Sequence, residues 1–290
     1  MSILITGANG QLGLALQRVL KQESLSQPII SLNPQELDIT NAKAIKQVFA
    51  EYQPKWVLNT AAFTAVDAAE TQQENAFLVN VEAVRYLAQE CERHHAKLFH
   101  FSSDYVFDGK KQTPYQETDV CAPLSVYGQS KWLGEKAIQE TTDNYVILRS
   151  SWIFSADRTN FVKTIIRLLA ERDQLRIIND QFGCPTYAQH IASISKQLIT
   201  NYPELSGIFH YSDEAVCTWY DFACAIQEQL VNDYHHQAKD ILPITTNEYP
   251  TAAVRPKYSV LSCEKIKRAM NIKQYPWKDG IKEVLGALPA

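Results

Sequence analysis

The chain has 290 residues, near the upper size that one hydrophobic core serves before a protein divides into lobes. Apolar residues make up 46% and charged residues 21%, as in ordinary globular proteins, so disorder and coiled coil find no support. The net charge of −4, with Lys and Arg scattered, argues against a nucleic-acid-binding protein. No apolar run reaches the roughly 18 residues of a membrane span, and the N-terminus lacks a signal peptide pattern. We therefore expect a cytoplasmic protein with no membrane partner.

No metal site is recognisable. The six cysteines are dispersed and form no CxxC pair, which favours reduced thiols over zinc ligands or disulfides. Adjacent histidines, as in His94-His95 and His235-His236, do not face each other on a helix, so neither pair chelates an ion readily. We predict no bound metal ion.

Strand-like and helix-like segments alternate through the first half of the chain. Thr40 is expected to cap the second helix. Such alternation implies parallel strands with right-handed crossovers, so we predict an α/β fold on a Rossmann-type, doubly wound parallel sheet. The predicted strands are 2–6, 28–32, 56–60, 97–102 and 145–149, and the predicted helices are 11–22, 41–52, 75–94 and 126–140.

After Trp152 the alternation of strand-like and helix-like segments becomes less regular, and residues 235–257 are rich in turn formers. The aromatic stretch that begins at Trp219 is interpreted as packing of a small lobe rather than as a binding surface. The predicted helices of this half are 161–172, 188–200 and 219–231, and the predicted strands are 175–178 and 207–211.

A glycine-rich turn joins the first strand to the first helix. Its glycines, Gly7, Gly10 and Gly13, form a GxxGxxG pattern. Such a turn leaves bare backbone beside a pyrophosphate and packs the helix closely on the strand, while the helix N-terminus attracts phosphate. We therefore predict a dinucleotide-binding Rossmann domain over residues 1–150. Residues 151–290 are predicted to form a smaller C-terminal α/β lobe that mainly binds substrate and is interleaved with the first.

The acidic residue that often holds the adenine ribose is missing from the end of the second strand, where Leu32-Asn33-Pro34 follows. Asp38 is the nearest carboxylate, and it is also a candidate capping neighbour of Thr40. The choice between NADPH and NADH therefore stays open.

Tyr127 and Lys131 form the one YxxxK pair of the chain. Residues four apart share a helix face, so the phenol and the ammonium can project into one cleft. A neighbouring ammonium is expected to lower the pKa of the phenol, which suits proton donation to a developing alkoxide. Ser103, at the end of the preceding strand, could hydrogen-bond the carbonyl oxygen of a substrate; its alternative role is to cap the strand end.

Together these features resemble the extended short-chain dehydrogenase/reductase family, and within it the branch of dTDP-4-dehydrorhamnose reductases. The DQxGxPT and NFxK patterns are the most specific to that branch. The matching stretches run nearly end to end: the glycine turn, NTAAFTAVD at 59–67 with Glu70, SSDYVF at 102–107, PLSVYG at 123–128 with Lys131 and Glu135, RSSW at 149–152, NFVK at 160–163, DQFGCPT at 180–186 and AVRP at 253–256.

The resemblance implies hydride transfer from NADPH or NADH to C4 of dTDP-4-dehydro-β-L-rhamnose. Tyr127 would protonate the new C4 oxygen, Lys131 would tune Tyr127 and hold the nicotinamide ribose, and Ser103 would orient the ketone. The positions implied for the sugar are Asp104 and Trp152, and those for the dTDP end are Asn160 and Arg255. The positions implied for the cofactor are Gly7, Gly10, Gln11, Leu12, Gly13, Asp38, Ile39, Ala61, Ala62 and Phe63, together with Tyr127 and Lys131.

Some members of the branch dimerise through magnesium held by glutamates. Ala15 and Gln189 occupy the corresponding positions here and cannot serve as anionic ligands. We accordingly expect no structural metal, and a monomer or a homodimer of another kind.

Three other functions stay open. The chain could be another nucleotide-sugar 4-ketoreductase or an epimerase of the same family, or a non-catalytic, dinucleotide-binding regulatory subunit. A dehydratase is disfavoured, because Asp104-Tyr105 stands where an Asp-Glu acid–base pair is wanted. Asp67 and Glu70 share a helical face and could serve either the start of that helix or the substrate.

Overall fold

The structure is a computed structural model that describes residues 2–22, 28–234, 237 and 239–287. It contains twelve strands within these ranges. They are β1 (Ile3–Thr6), β2 (Ile29–Leu32), β3 (Trp56–Asn59), β4 (Lys97–Ser103), β5 (Tyr145–Ser150), β6 (Ile153–Phe154), β7 (Gln174–Ile178), β8 (Phe182–Gly183), β9 (Thr186–Tyr187), β10 (Gly207–His210), β11 (Cys217–Thr218) and β12 (Asp240–Ile244).

Eleven α-helices lie within the same ranges, together with a π-helical turn at Leu78–Glu82 and 3-10 turns at Asp104–Val106 and Thr246–Glu248. The α-helices are α1 (Gln11–Gln22), α2 (Ala42–Tyr52), α3 (Val66–Ala69), α4 (Gln73–Phe77), α5 (Ala83–Arg93), α6 (Val126–Gln139), α7 (Phe161–Glu171), α8 (Ala188–Asn201), α9 (Trp219–Tyr234), α10 (Glu264–Met270) and α11 (Trp277–Gly286).

Six parallel strands form the central sheet in the order β2-β1-β3-β4-β5-β10. The predicted Rossmann-type sheet is confirmed. The strand order reverses between β1 and β3, and such a switch point opens a crevice at the carboxyl ends of the strands. The register pairs Thr6 with Asn59 and Ser103 with Ser150, so the predicted site residues that follow these strands share one edge.

Both faces of the sheet are buried, as parallel sheets require. Side chains alternate along β1: Ile3 and Ile5 pack beneath α1 and α8, while Leu4 packs beneath α2 and α5. The first of these cores takes α8, α10 and part of β10 from residues after 150, so the chain returns to the sheet late in the sequence. A third core, around Phe154 and Phe222, unites α7, α9 and α11.

The predicted element bounds differ from the structure at two instructive places. Asn41, not Thr40, caps α2, because its Oδ1 accepts from the backbone N–H groups of Lys43 and Ala44, whereas the Thr40 hydroxyl donates to Asp38. The single helix predicted over 75–94 is interrupted by the π-helical turn. The histidine pair at 235–236 lies outside the described residues.

The π-helical turn buries Asn80 between the sheet edge and α6. Its side-chain amide accepts from Phe63 N at 2.9 Å and donates to Phe63 O at 3.0 Å and to Ser130 Oγ at 2.9 Å. α6 approaches so closely that a Cβ on Gly134 would fall 2.1 Å from Asn80 O. Asn80 therefore fixes the loop after β3 relative to α6, and π-helical turns often occur at functional sites.

Asn80→Ala is expected to lower the free energy of unfolding by about 2–4 kcal/mol, because it removes three hydrogen bonds, one of them fully buried. Urea denaturation followed by circular dichroism measures the loss. The exposed Asn75, on α4, supplies the matched control Asn75→Ala. Equal stability of the two variants would contradict this role of Asn80.

Within the described ranges, no helix combines the length and apolar character needed to cross a bilayer.

Candidate active site

A cleft of about 830 Å³ lies over the carboxyl edge of the sheet, at the switch point between β1 and β3. Its walls come from the glycine turn, the segments after β2, β3, β4 and β5, and the first residues of α6 and α9. Thirteen of the predicted site residues line it: Gly7, Gly10, Gln11, Leu12, Asp38, Ile39, Ala61, Ala62, Ser103, Asp104, Tyr127, Lys131 and Trp152.

The glycine turn is shaped to take a dinucleotide. Gly7 has a φ of +65°, and a Cβ there would fall 2.6 Å from Ala61 N, so only glycine fits. Gly13 has a packing role, since its Cβ would fall 2.5 Å from Gly7 O. At Gly10 the nearest atom to a Cβ is Gly7 O at 3.3 Å, which leaves bare backbone beside the free N–H groups of the α1 N-terminus.

Asp38 lines the adenosine side of the predicted cofactor path. Its Oδ1 accepts from Thr40 N at 2.9 Å and from Thr40 Oγ1 at 2.7 Å. The carboxylate is thus both the capping neighbour and a cleft residue, and the two interpretations of the sequence are compatible. The other carboxylate oxygen, Asp38 Oδ2, can accept a hydrogen bond from a ribose hydroxyl.

Ser103 and Asp104 form a coupled pair at the end of β4. Ser103 Oγ donates to Asp104 Oδ1 at 3.0 Å and accepts from Tyr105 N at 3.1 Å. Three of the buried atoms described lack a hydrogen-bond partner: Ser31 Oγ, Asp104 Oδ2 and Ser150 Oγ. Asp104 and Ser150 both line the cleft. Since unpartnered buried polar atoms are rare, both are suited to bind ligand hydroxyls. Burial raises the pKa of the Asp104 carboxyl to about 7.

Tyr127 lies in the first turn of α6, where two contacts fix its backbone. Ser125 caps the helix by accepting from Gly128 N at 3.1 Å, and Glu70 Oε1 accepts from Val126 N at 2.9 Å. Burial raises the pKa of the phenol to about 12, with a hydrogen bond to Ser103 acting in the opposite direction. The expectation that Lys131 lowers this pKa is therefore wrong for the protein without ligands, because desolvation outweighs any influence of the ammonium.

Lys131 is buried beneath the cleft, with 2% of its surface exposed. Its Nζ donates to Phe101 O at 2.8 Å and lies 3.2 Å from His100 Nε2. Burial lowers the pKa of this lysine to about 8, against an opposing influence of Glu135. Lys131 can therefore change its charge near neutral pH.

Two residues predicted at the dTDP end are engaged within the protein. Asn160 caps α7 and donates from Nδ2 to Gln11 Oε1 at 3.0 Å, so it supports a cleft residue. Arg255 makes a two-pronged contact with Asp67, at 2.6 Å from Nη2 and 3.1 Å from Nη1. Asn160, Arg255, Gly13 and Phe63 are not among the described residues that line the cleft, and their ligand contacts stay predictions.

Sequence reasoning missed several further cleft residues, among them Ser150, Trp219 and Arg158. Trp219 packs against the third core as expected, but it also lines the cleft, where it stacks on Trp152 with ring centroids 3.5 Å apart. Gly183 makes room for this stack, since a Cβ there would fall 2.6 Å from the Trp152 ring. Arg158 donates from Nε to Asn9 O at 2.6 Å and brings a cation to the glycine turn. The glycine of the DQxGxPT pattern was the available signal for the stack.

No group of three or more His, Cys, Asp or Glu side chains in the described parts of the chain is arranged to hold a metal ion.

Comparison with known proteins agrees with this geometry. The family model described as "RmlD substrate binding domain" matches residues 1–289. A dTDP-4-dehydrorhamnose reductase of Aggregatibacter actinomycetemcomitans is 40% identical over 287 residues, covering 97% of each chain. The spore coat polysaccharide biosynthesis protein SpsK of Bacillus subtilis is also 40% identical, covering 98% of this chain and 96% of its own. A crystal structure of dTDP-4-dehydrorhamnose reductase from Bacillus anthracis with NADP superimposes with a TM-score of 0.92 at 35% identity, covering 99% of both chains.

The fold and these relatives define a Rossmann-type oxidoreductase. Within that class, the chain belongs to the RmlD family, to which dTDP-4-dehydrorhamnose reductases belong.

Asp104→Asn is expected to stabilise the protein increasingly as pH rises. A carboxyl whose pKa is raised on folding contributes stability below its unfolded pKa, and this contribution is lost as pH rises through the folded value of about 7. The amide cannot ionise, so the difference in unfolding free energy between variant and parent should widen by roughly 2 kcal/mol from pH 5 to pH 8.5. Urea denaturation at both pH values measures it, with exposed Asp143→Asn as the control. A constant difference would refute the buried titration.

Proposed function

We propose that the protein is a dTDP-4-dehydrorhamnose reductase that uses NADPH or NADH to reduce the C4 ketone of dTDP-4-dehydro-β-L-rhamnose to dTDP-β-L-rhamnose. The observation that carries the proposal is the convergence of Ser103, Tyr127 and Lys131 on one cleft beside the glycine turn. Relatives named for this activity, at 35–40% identity over nearly the whole chain, support it.

The cofactor would lie along the glycine turn, with its adenosine toward Asp38 and its nicotinamide toward Tyr127 and Lys131. Gly10 and the α1 N-terminus would hold the pyrophosphate, and Arg158 offers a further cation there. When bound, the reduced nicotinamide supplies the hydride to the ketone carbon.

Tyr127 would donate its phenolic proton to the oxygen that gains charge as the ketone is reduced. A phenol with a pKa of about 12 stays protonated at neutral pH and can give its proton only to a stronger base, such as an alkoxide. Ser103 can assist once its hydroxyl turns from Asp104 to the substrate oxygen. Lys131, in its ammonium form, would favour the tyrosinate left behind.

The substrate would occupy the cleft wall opposite the glycine turn. Asp104 Oδ2 and Ser150 Oγ offer hydrogen bonds to sugar hydroxyls, and Trp152 offers an apolar ring face. Arg255 would contribute to the diphosphate, since guanidinium matches phosphate oxygens. We assign substrate binding mainly to residues 151–290, and we place the enzyme in the cytoplasm as a monomer or homodimer without nucleic-acid partners.

The decisive experiment combines the purified protein with dTDP-4-dehydro-β-L-rhamnose and either NADPH or NADH. Loss of absorbance of the reduced cofactor, with dTDP-β-L-rhamnose as product, is the expected result. A different sugar product would indicate another 4-ketoreductase or an epimerase. Cofactor binding without turnover on any nucleotide sugar would indicate a regulatory subunit.

Tyr127→Phe is expected to lower kcat by about 100-fold or more, because the ring stays and only the transferable proton is lost. Cofactor affinity, measured by fluorescence titration, should change little. Tyr145→Phe, on the edge of β5, is the matched control, since its hydroxyl bonds only weakly to Gln139 at 3.4 Å. Full turnover by the Tyr127 variant would remove this residue from the mechanism.

Arg255→Ala is expected to raise the KM for the nucleotide sugar by roughly 10- to 100-fold, as loss of one charged hydrogen-bonding group predicts. Arg176→Ala is the control, because Arg176 also pairs with a carboxylate, Glu248 at 2.9 Å, but on the exposed surface. An effect confined to NADPH affinity would contradict the assignment of Arg255 to substrate.

A further inference from the structure

A buried polar chain runs beneath the cleft across three strands. It starts at Thr6 on β1, continues through Asn59 on β3 and His100 on β4, and ends at Lys131 on α6. His100 is 1% exposed and is not among the described residues that line the cleft. The mechanism proposed above gives it no role.

The direction of each hydrogen bond in this chain is fixed by a backbone amide. Ala61 N donates to Asn59 Oδ1 at 3.2 Å, and Thr6 Oγ1 donates to the same oxygen at 2.7 Å. Asn59 therefore turns its Nδ2 to His100 Nδ1, at 3.0 Å, and donates to it. A neutral imidazole that accepts at Nδ1 carries its proton on Nε2.

The Nε2 atom of His100, which carries this proton, lies 3.2 Å from Lys131 Nζ. An ammonium has only donors, so two donors would confront each other while Lys131 is charged. The conflict disappears when Lys131 loses a proton, because the amine then accepts from His100 and still donates to Phe101 O at 2.8 Å. Burial also disfavours a charged imidazole, and the pKa of His100 is well below its usual range.

His210, the other described buried histidine beside a cationic side chain, carries its proton on the opposite ring nitrogen. His210 Nδ1 lies 3.1 Å from Tyr115 O, a pure acceptor, so that nitrogen carries the proton. His210 Nε2 then accepts from Arg149 Nη1 at 3.3 Å. The same fold thus places one imidazole as an acceptor for a permanent cation and the other as a donor toward a lysine.

We propose that His100 is a positioning residue whose Nε2–H makes Lys131 lose its proton more readily than a lysine facing an acceptor would. Lys131 then serves as an exchangeable proton site beneath Tyr127 instead of a fixed charge. This inference rests on the proposed reductase function, which needs the ammonium form to favour the tyrosinate.

Asp38, Tyr105 and Arg158 also line the cleft and are common to parent and variants. Three further ionisable groups bear on Lys131 or its cleft. Glu135, one helical turn later, favours the ammonium, but Arg149 at 2.6 Å and Ser102 at 2.5 Å already bind its carboxylate. Tyr127, one turn earlier, stays neutral through the neutral pH range. Asp104 titrates in the same cleft, with a pKa of about 7. Parent and variants all contain Asp104, so its effect on the pH profile cancels when they are compared.

His100→Met tests the proposal, because a thioether has no donor hydrogen to confront the ammonium and can only accept. In the pH profile of kcat/KM, activity falls at high pH as Lys131 loses its proton. This high-pH limb should shift to higher pH by about one unit or more. Asn59→Asp provides a second route that leaves His100 in place. Its carboxylate would accept from Nδ1–H, reverse the polarity of the ring and move the limb in the same direction.

His210→Met is the matched control and should leave the limb in place. The pH dependence of the NADH dissociation constant, followed by fluorescence, gives a readout that needs no turnover, and the same upward shift is expected there. Absence of turnover by the parent protein would reject the proposed function, while this binding readout would still decide the role of His100. An unmoved limb and binding profile in the folded His100 or Asn59 variant, or an equal shift in the His210 variant, would overturn the proposal.

Discussion

The close approach of the β1–α1 turn to the carboxyl end of β3 is the constraint on which the site depends. Gly7 leaves no room for a side chain against Ala61, so the glycine turn and the loop after β3 are held as one surface. Asn80 then fixes that loop to α6 through Phe63 and Ser130. The dinucleotide cradle and the helix that carries Tyr127 are therefore parts of one packed unit, and their relative position is set before any ligand binds.

Burial dominates the electrostatics of this unit. Tyr127, Lys131 and Asp104 all have pKa values displaced toward their neutral forms by desolvation. Displaced titrations of this kind cluster at functional sites. A bound dinucleotide would bring phosphates and ribose hydroxyls into the same cleft and favour the charged form of Lys131. In the protein without ligands, Tyr127 is therefore neutral at neutral pH, while Lys131 and Asp104 lie close to their titration points.

Sequence reasoning succeeded where the signal was local. The glycine turn, the Tyr127–Lys131 pair and the alternation of strands and helices are each recognisable within short stretches of sequence. The structure places the glycine turn and the Tyr127–Lys131 pair in one cleft. Sequence reasoning failed where the outcome depends on distant partners. The cleft position of Trp219 depends on Trp152, 67 residues earlier in the numbering, and His100, the partner of Lys131 on α6, lies on β4. The phenol pKa was misjudged because spacing reveals a neighbouring ammonium but not the desolvation that outweighs it. The interruption at Asn80 was hidden because the partners of its side chain, Phe63 and Ser130, lie outside this helix.

The contact between Arg255 and Asp67 has a consequence for how substrate would be captured. The guanidinium is already neutralised by a carboxylate, and Ala253 N also donates to Asp67 at 3.0 Å. An incoming diphosphate would exchange one anionic partner for another instead of meeting a free cation. Long-range attraction from Arg255 is correspondingly small, so ionic strength should affect the encounter with a nucleotide sugar less than it would at an unpaired arginine.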